Sequence, residues 1–229
     1  MLRPTLLAAT LALASAAAHA DLVRIDYQVA FDREFDHLGA ITTDLTGQTA
    51  TGSILFDTAN VQSTSSDALS TVVVFGATST WDYGGYPTPP STSVDNLTLT
   101  FYLSGGSAGQ LNGQGNLGTT WSPSPGITHE LGQNITLNGT YFMPLSNPAS
   151  PTAGEILNAL QTTVGQPPTS FYGYHKQSSV DTGTLAYSDV TGTVTVTAVT
   201  AVPEPQQWLL LGAGLAAMAL PMLGRGRRS

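Results

Sequence analysis

The chain has 229 residues, with 15 acidic and 7 basic side chains, a net charge of −8 at neutral pH with histidine uncharged, and no cysteine. So acidic a chain repels nucleic acid and anionic membrane surfaces, and no nucleic acid is expected among its partners. Without cysteine there can be no disulfide framework, thiolate metal site or thiol nucleophile, so the fold must be held by burial and backbone pairing alone.

At the amino terminus, Arg3 precedes a Leu- and Ala-rich run from Thr5 to Ala18, which ends in Ala18-His19-Ala20. A basic start, a short apolar run and the small residues Ala18 and Ala20 predict a secretory signal peptide over 1–20, cut by signal peptidase after Ala20. The body that follows, 21–201, is of a size to form one domain with its own core. It carries three basic residues, Arg24, Arg33 and Lys176, against fourteen acidic ones.

Within the body, apolar residues alternate with period two from Val23 to Phe31, which predicts a half-buried strand. Asp32, Glu34, Asp36 and His37 follow as an acidic cluster; they lack the glycine and distal glutamate of a calcium loop, and a solvated edge explains them better than a metal site. Strands are predicted again at 52–57 and 69–76. Trp81, Tyr83 and Tyr86 come next among Gly and Pro, in a segment read as a loop, and with Trp121 further on they are candidates for glycan contact because aromatic rings stack on sugar faces. Between 94 and 103, Leu97, Leu99, Phe101 and Leu103 alternate with Thr98, Thr100 and Tyr102, the clearest strand pattern in the chain.

Gly105-Gly106-Ser107-Ala108-Gly109 has the spacing of a hydrolase nucleophile elbow, yet such an elbow must lead into a helix. The residues after it, 110–116, have glycine at every second or third place and predict a flexible hairpin loop, so no catalytic residue is assigned. A strand is predicted at 135–142. Thr152-Ala153-Gly154-Glu155 has capping-box spacing ahead of Ile156, Leu157, Leu160 and Val164, which predicts one short helix over 153–163, stopped at Gly165 and packed across an open end of the sheets. Further strands are expected at 170–174 and 190–199, with Thr200 to Val202 as a tether. Seven or more short strands and one helix predict an all-β fold, an antiparallel β-sandwich of jelly-roll kind. Neither a metal nor a cofactor is expected.

The last residues, 202–229, differ from the body. Val202-Pro203-Glu204-Pro205 leads into an uncharged run with Trp208, Leu209, Leu210, Leu211, Leu215, Leu220 and Leu223, and then into Arg225, Arg227 and Arg228. Two prolines hold the first part extended. The run predicts a membrane helix over about 207–223, slightly short for a ~30 Å hydrocarbon core, with Trp208 at one interface and arginines reaching to the other. The three arginines form a basic stop that stays cytoplasmic, which places the body outside.

This tail, on a chain that starts with a secretory signal, closely resembles the PEP-CTERM sorting signal of Gram-negative bacteria. The resemblance covers only about 202–229. It implies that Pro203, Glu204 and Pro205 form a recognition motif acted on by an exosortase-like processing enzyme, that the chain is anchored in the inner membrane before processing, and that its destination is the cell surface or an extracellular matrix with exopolysaccharide as a partner. The expected function is therefore that of a non-enzymatic, structural or adhesive exported protein of a biofilm matrix. The alternative is a carbohydrate-binding module or weak carbohydrate-active enzyme.

Overall fold

A computed structural model of the chain describes residues 22–36, 41–82, 95–102, 108–124, 127–142, 145, 147, 150–179 and 185–202. The chain divides into two compact units, Val23–Thr200 and a second made of Met1–Leu22 with Ala201–Ser229, of which only Leu22, Ala201 and Val202 are described. The expected signal peptide with Ala18 and Ala20, the expected sorting motif from Pro203, the apolar run and the terminal arginines all lie outside the described residues. Among the described residues no helix is long and apolar enough to cross a membrane.

Among the described residues the fold is all-β and antiparallel, with one short helix. In chain order the strands are β1 (Leu22–Asp36), β2 (Ile41–Asp44), β3 (Thr49–Ser66), β4 (Ser70–Asp82), β5 (Asp95–Tyr102), β6 (Ala108–Ser124), β7 (Ile127–Phe142), β8 (Thr169–Ser179) and β9 (Leu185–Val202). Helix α1 (Ala153–Gln161) lies between β7 and β8. All strands belong to one sheet, ordered β2-β1-β3-β4-β5-β6-β7-β8-β9, and β1 also pairs with β9. Leaving β2 aside, the sheet therefore closes into an eight-stranded meander barrel.

This differs from the two stacked sheets expected. Alternation reports that one face of each strand is buried, a property common to sandwiches and barrels, whereas closure depends on pairing between the first and last strands. Eight strands leave an interior just wide enough for side chains to fill. Here Val23, Ile25, Tyr27, Val29 and Phe31 of β1 meet Ile54 and Phe56 of β3, Phe75 of β4 and Leu97, Leu99 and Phe101 of β5 in one core. Between β1 and β7, which are not neighbours in the sheet, the buried Tyr27 hydroxyl donates to Gln133 Oε1 at 3.2 Å.

The helix forms as its sequence predicts. Thr152 Oγ1 accepts from the Glu155 amide at 3.3 Å, the Glu155 carboxylate accepts from the Thr152 amide at 2.7 Å, and Gly165 takes the left-handed conformation at φ +77. Ile156, Ala159 and Leu160 are buried, and α1 touches both β3 and β7. Those two strands are opposite each other in the ring, so the helix lies across one mouth of the barrel. Its carboxyl end sits on Gly139, where a Cβ would stand 2.6 Å from Thr162 Oγ1.

Most strands extend beyond their sequence expectations, three of them with consequences for the barrel. Strand β3 continues to Ser66 through Asn, Gln, Ser and Thr, with irregular register against β4 between Phe56 and Ser63. Thr200 to Val202, expected as a tether, form the end of β9. The third is β6, which occupies the stretch read as a flexible loop. Gly109, Gly113 and Gly115 share the interior side with Leu111, where Gly113 faces Leu99 and Leu137, and Gly115 faces Leu97 and Ile135 in register. Large residues on β5 and β7 fill the space that β6 leaves, the small-against-large packing a narrow barrel requires.

The turn between β3 and β4 is pinned by Asp67, whose Oδ1 accepts from the Leu69 and Ser70 amides, both at 2.7 Å. Those backbone donors, Leu69 first, hold the Asp67 carboxyl below its ordinary value of 3.8. A lowered carboxyl pKa stabilises the turn fully above the ordinary value, and that contribution is lost as pH falls through the lower folded one. Amide-exchange protection of Leu69 and Ser70 is expected to fall below about pH 3.8 in the native protein and to stay level in Asp67→Asn. Equal pH profiles for the two proteins would show that the charge does not hold the turn.

Candidate functional site

Of the aromatic residues predicted to contact glycans, Trp81 and Trp121 lie in strands, not loops. Trp81 of β4 is in register with Gly52, and Trp121 of β6 with His129. The hairpins run on past the apolar stretches that mark them in sequence. Tyr83 and Tyr86 lie outside the described residues. The residues after the Gly-x-Ser-x-Gly segment enter β6, whereas a nucleophile elbow would lead into a helix. In the acidic cluster Arg33 Nε stands 3.7 Å from Asp32 Oδ2, and His37 lies outside the described residues. Among the described residues no three His, Asp or Glu side chains gather to hold a metal ion.

The barrel brings together a different set of side chains, on the outer face of β5 to β8. Register places Asn96, Asn116, Asn134 and Tyr172 in one row across the four strands. The next row holds Thr98, Gln114 and Thr136 in register, with the Ser170 hydroxyl donating to Thr136 Oγ1 at 3.4 Å. Below them come Thr100, Asn112 and Asn138, then Tyr102, Gln110 and Thr140. Every one of these residues is polar and none is charged. With strands ~4.8 Å apart and same-face residues about 6.8 Å apart, the face measures roughly 14 Å by 20 Å.

The amides are ordered by one another. Asn112 Nδ2 donates to Asn138 Oδ1 at 3.1 Å, and Asn134 Nδ2 donates to Asn116 Oδ1 at 2.7 Å. A side-chain amide has two donor hydrogens and an acceptor oxygen with two lone pairs, so each pair spends a minority of its capacity and presents the rest outward. Asn96 Oδ1 is buried and finds no partner, leaving one acceptor unspent at the end of the first row. Across from Asn96, Gly76 makes room for another amide: a Cβ there would stand 2.7 Å from Gln62 Nε2. At opposite corners of the face stand two exposed tyrosines, Tyr102 at 46% and Tyr172 at 42%. The Tyr172 hydroxyl donates to Asp189 of β9, which fixes its ring.

No family model, curated protein sequence or solved structure matches this chain.

Sequence reasoning missed the face because it read β6 as a loop. A signal was present: Gln110, Asn112, Gln114 and Asn116 alternate with Gly109, Leu111, Gly113 and Gly115, a period of two as regular as that of β5. Treating each glycine as a breaker hid the alternation. The cross-strand rows have no counterpart in sequence, since they depend on register between strands.

Proposed function

We propose that this chain is an exported structural or adhesive protein of the cell surface or extracellular matrix. A signal peptide over 1–20 directs it out, an apolar segment at about 207–223 holds it in the inner membrane, and an exosortase-like enzyme processes it at Pro203-Glu204-Pro205. The observation that carries this reading is the order of the tail: an extended acidic-proline motif, an uncharged run, and Arg225, Arg227 and Arg228 at the end. In that order the arginines keep the end cytoplasmic, the uncharged run anchors the body outside, and the prolines present an extended peptide for cutting.

Two features of the body support the reading. Its core is packed with aliphatic and aromatic side chains, as suits a building block stable outside the cell without disulfides. Strand β9 runs to Val202, and Pro203 is the next residue in sequence. A second reading, a carbohydrate-binding module, is favoured by the uncharged amide face.

In a producing cell Glu204→Ala should leave export intact while unprocessed, membrane-bound protein accumulates, as read by fractionation and by mass spectrometry of the carboxyl terminus. Identical termini and fractions for the native chain and the variant would remove the case for motif recognition. So would recovery of the intact chain, Ser229 included, from the cytosol.

A further inference from the structure

We infer that the outer face of β5 to β8 binds a neutral, hydroxyl-rich polysaccharide. The inference stands apart from the sorting signal, because the face lies within the barrel and does not involve the tail.

Charge selects the occupant first. The chain as a whole is acidic, at −8, yet none of the residues in the four rows of this face is charged. A polyuronate or sulfated chain would be repelled by the body and would find no cation within these rows, and a cationic chain would be drawn to the acids elsewhere. Hydrogen-bonding capacity selects next. Sugar hydroxyls are donor and acceptor at once, and so is each amide, so a ladder of amides engages a run of hydroxyls in either orientation. A protein partner would need an apolar centre to its interface, and this face has polar amides and hydroxyls there instead.

Geometry completes the case. The Asn112–Asn138 and Asn134–Asn116 pairs hold their amides in place before any ligand arrives, which lowers the ordering cost of binding. Tyr172, fixed through Asp189, and Tyr102 at the far corner offer ring faces for stacking against pyranose C–H surfaces.

Affinity electrophoresis tests this directly. The full chain, kept in solution with a detergent that carries no sugar headgroup, is run in native gels containing dextran, galactomannan or soluble β-glucan, and in a gel containing polygalacturonate. Retardation is expected in at least one neutral gel and not in polygalacturonate. The double variant Asn112→Ala/Asn116→Ala, and separately Tyr172→Ala, should weaken it by about tenfold or more with an unchanged melting midpoint. Gln28→Ala, an exposed change on β1, should leave it as it is. Equal mobility of the native chain in every gel would overturn the proposal, as would retardation in polygalacturonate alone or retardation that both face variants retain. Sedimentation showing a dimer that the face variants dissociate would give the face to a second copy and likewise overturn it.

Discussion

Gly192→Ala is expected to open the barrel where its ends meet. Gly192 of β9 lies so close to β1 that a Cβ would stand 2.3 Å from the Ala30 carbonyl oxygen and 3.1 Å from the Phe31 Cα. Both obstacles are backbone, which no rotamer change can move aside. In register Gly192 faces Phe171 of β8, whose ring meets that of Phe31 edge to face at 5.8 Å, so the two aromatics close over the strand that carries the glycine. Overpacking in a tight core costs about 1–3 kcal/mol, and backbone obstruction puts this site at the upper end. In urea the midpoint should drop with little change in slope, and amide exchange should quicken first in β1 and β9. Gly154→Ala, with nothing within 4 Å of the added Cβ, is the matched control and should be neutral or slightly stabilising. If both variants melt like the native protein, β9 does not approach β1 as described.

The second large effect is expected from Phe75→Ala. Phe75 is fully buried, its ring lies tilted against Phe56 at 5.0 Å, and its neighbour across the strand pair is Leu97. Removing it leaves a void bounded by the walls of a closed barrel, which cannot collapse as freely as two separate layers. The loss should be about 3–5 kcal/mol, a large part of the ~5–15 kcal/mol that holds a typical domain together. Phe75→Leu should recover a good part of it. A loss below about 1 kcal/mol on equilibrium unfolding would mean that the site refills, and that the interior is less tightly packed than the structure indicates.

These two positions also divide what sequence conveys from what it does not. Phe75 sits in an apolar alternation that predicts a buried strand face from local pattern alone, and the same holds for Val23 to Phe31, for Leu97 to Phe101 and for Val194 to Val196. The capping box at Thr152 and Glu155 is equally local, and the helix follows it. Gly192 conveys nothing in one dimension, since its meaning comes from a strand more than a hundred and fifty residues earlier in the chain. The choice of barrel over sandwich turns on the same long-range contact. The candidate face falls in between: its polar positions alternate visibly along β6, but only register lines Asn116 up with Asn96 and Asn134. The proposed sorting motif rests on sequence alone, from Pro203, and the described residues stop one position before it.

Pairing of β1 with β9 has a consequence for how the molecule comes into being. The strand that completes the ring is the last part of the body to leave the ribosome, so throughout synthesis β1 lacks its β9 neighbour and the interior stays open. A chain in that condition remains threadable through a translocation pore until nearly all of it has been made. It also has two unsheathed strand margins in the meantime, which invite intermolecular stacking. Ribosome-stalled chains ending before Leu185 should therefore be protease-sensitive and sticky, and resistance should arrive abruptly once the sequence through Val202 has emerged.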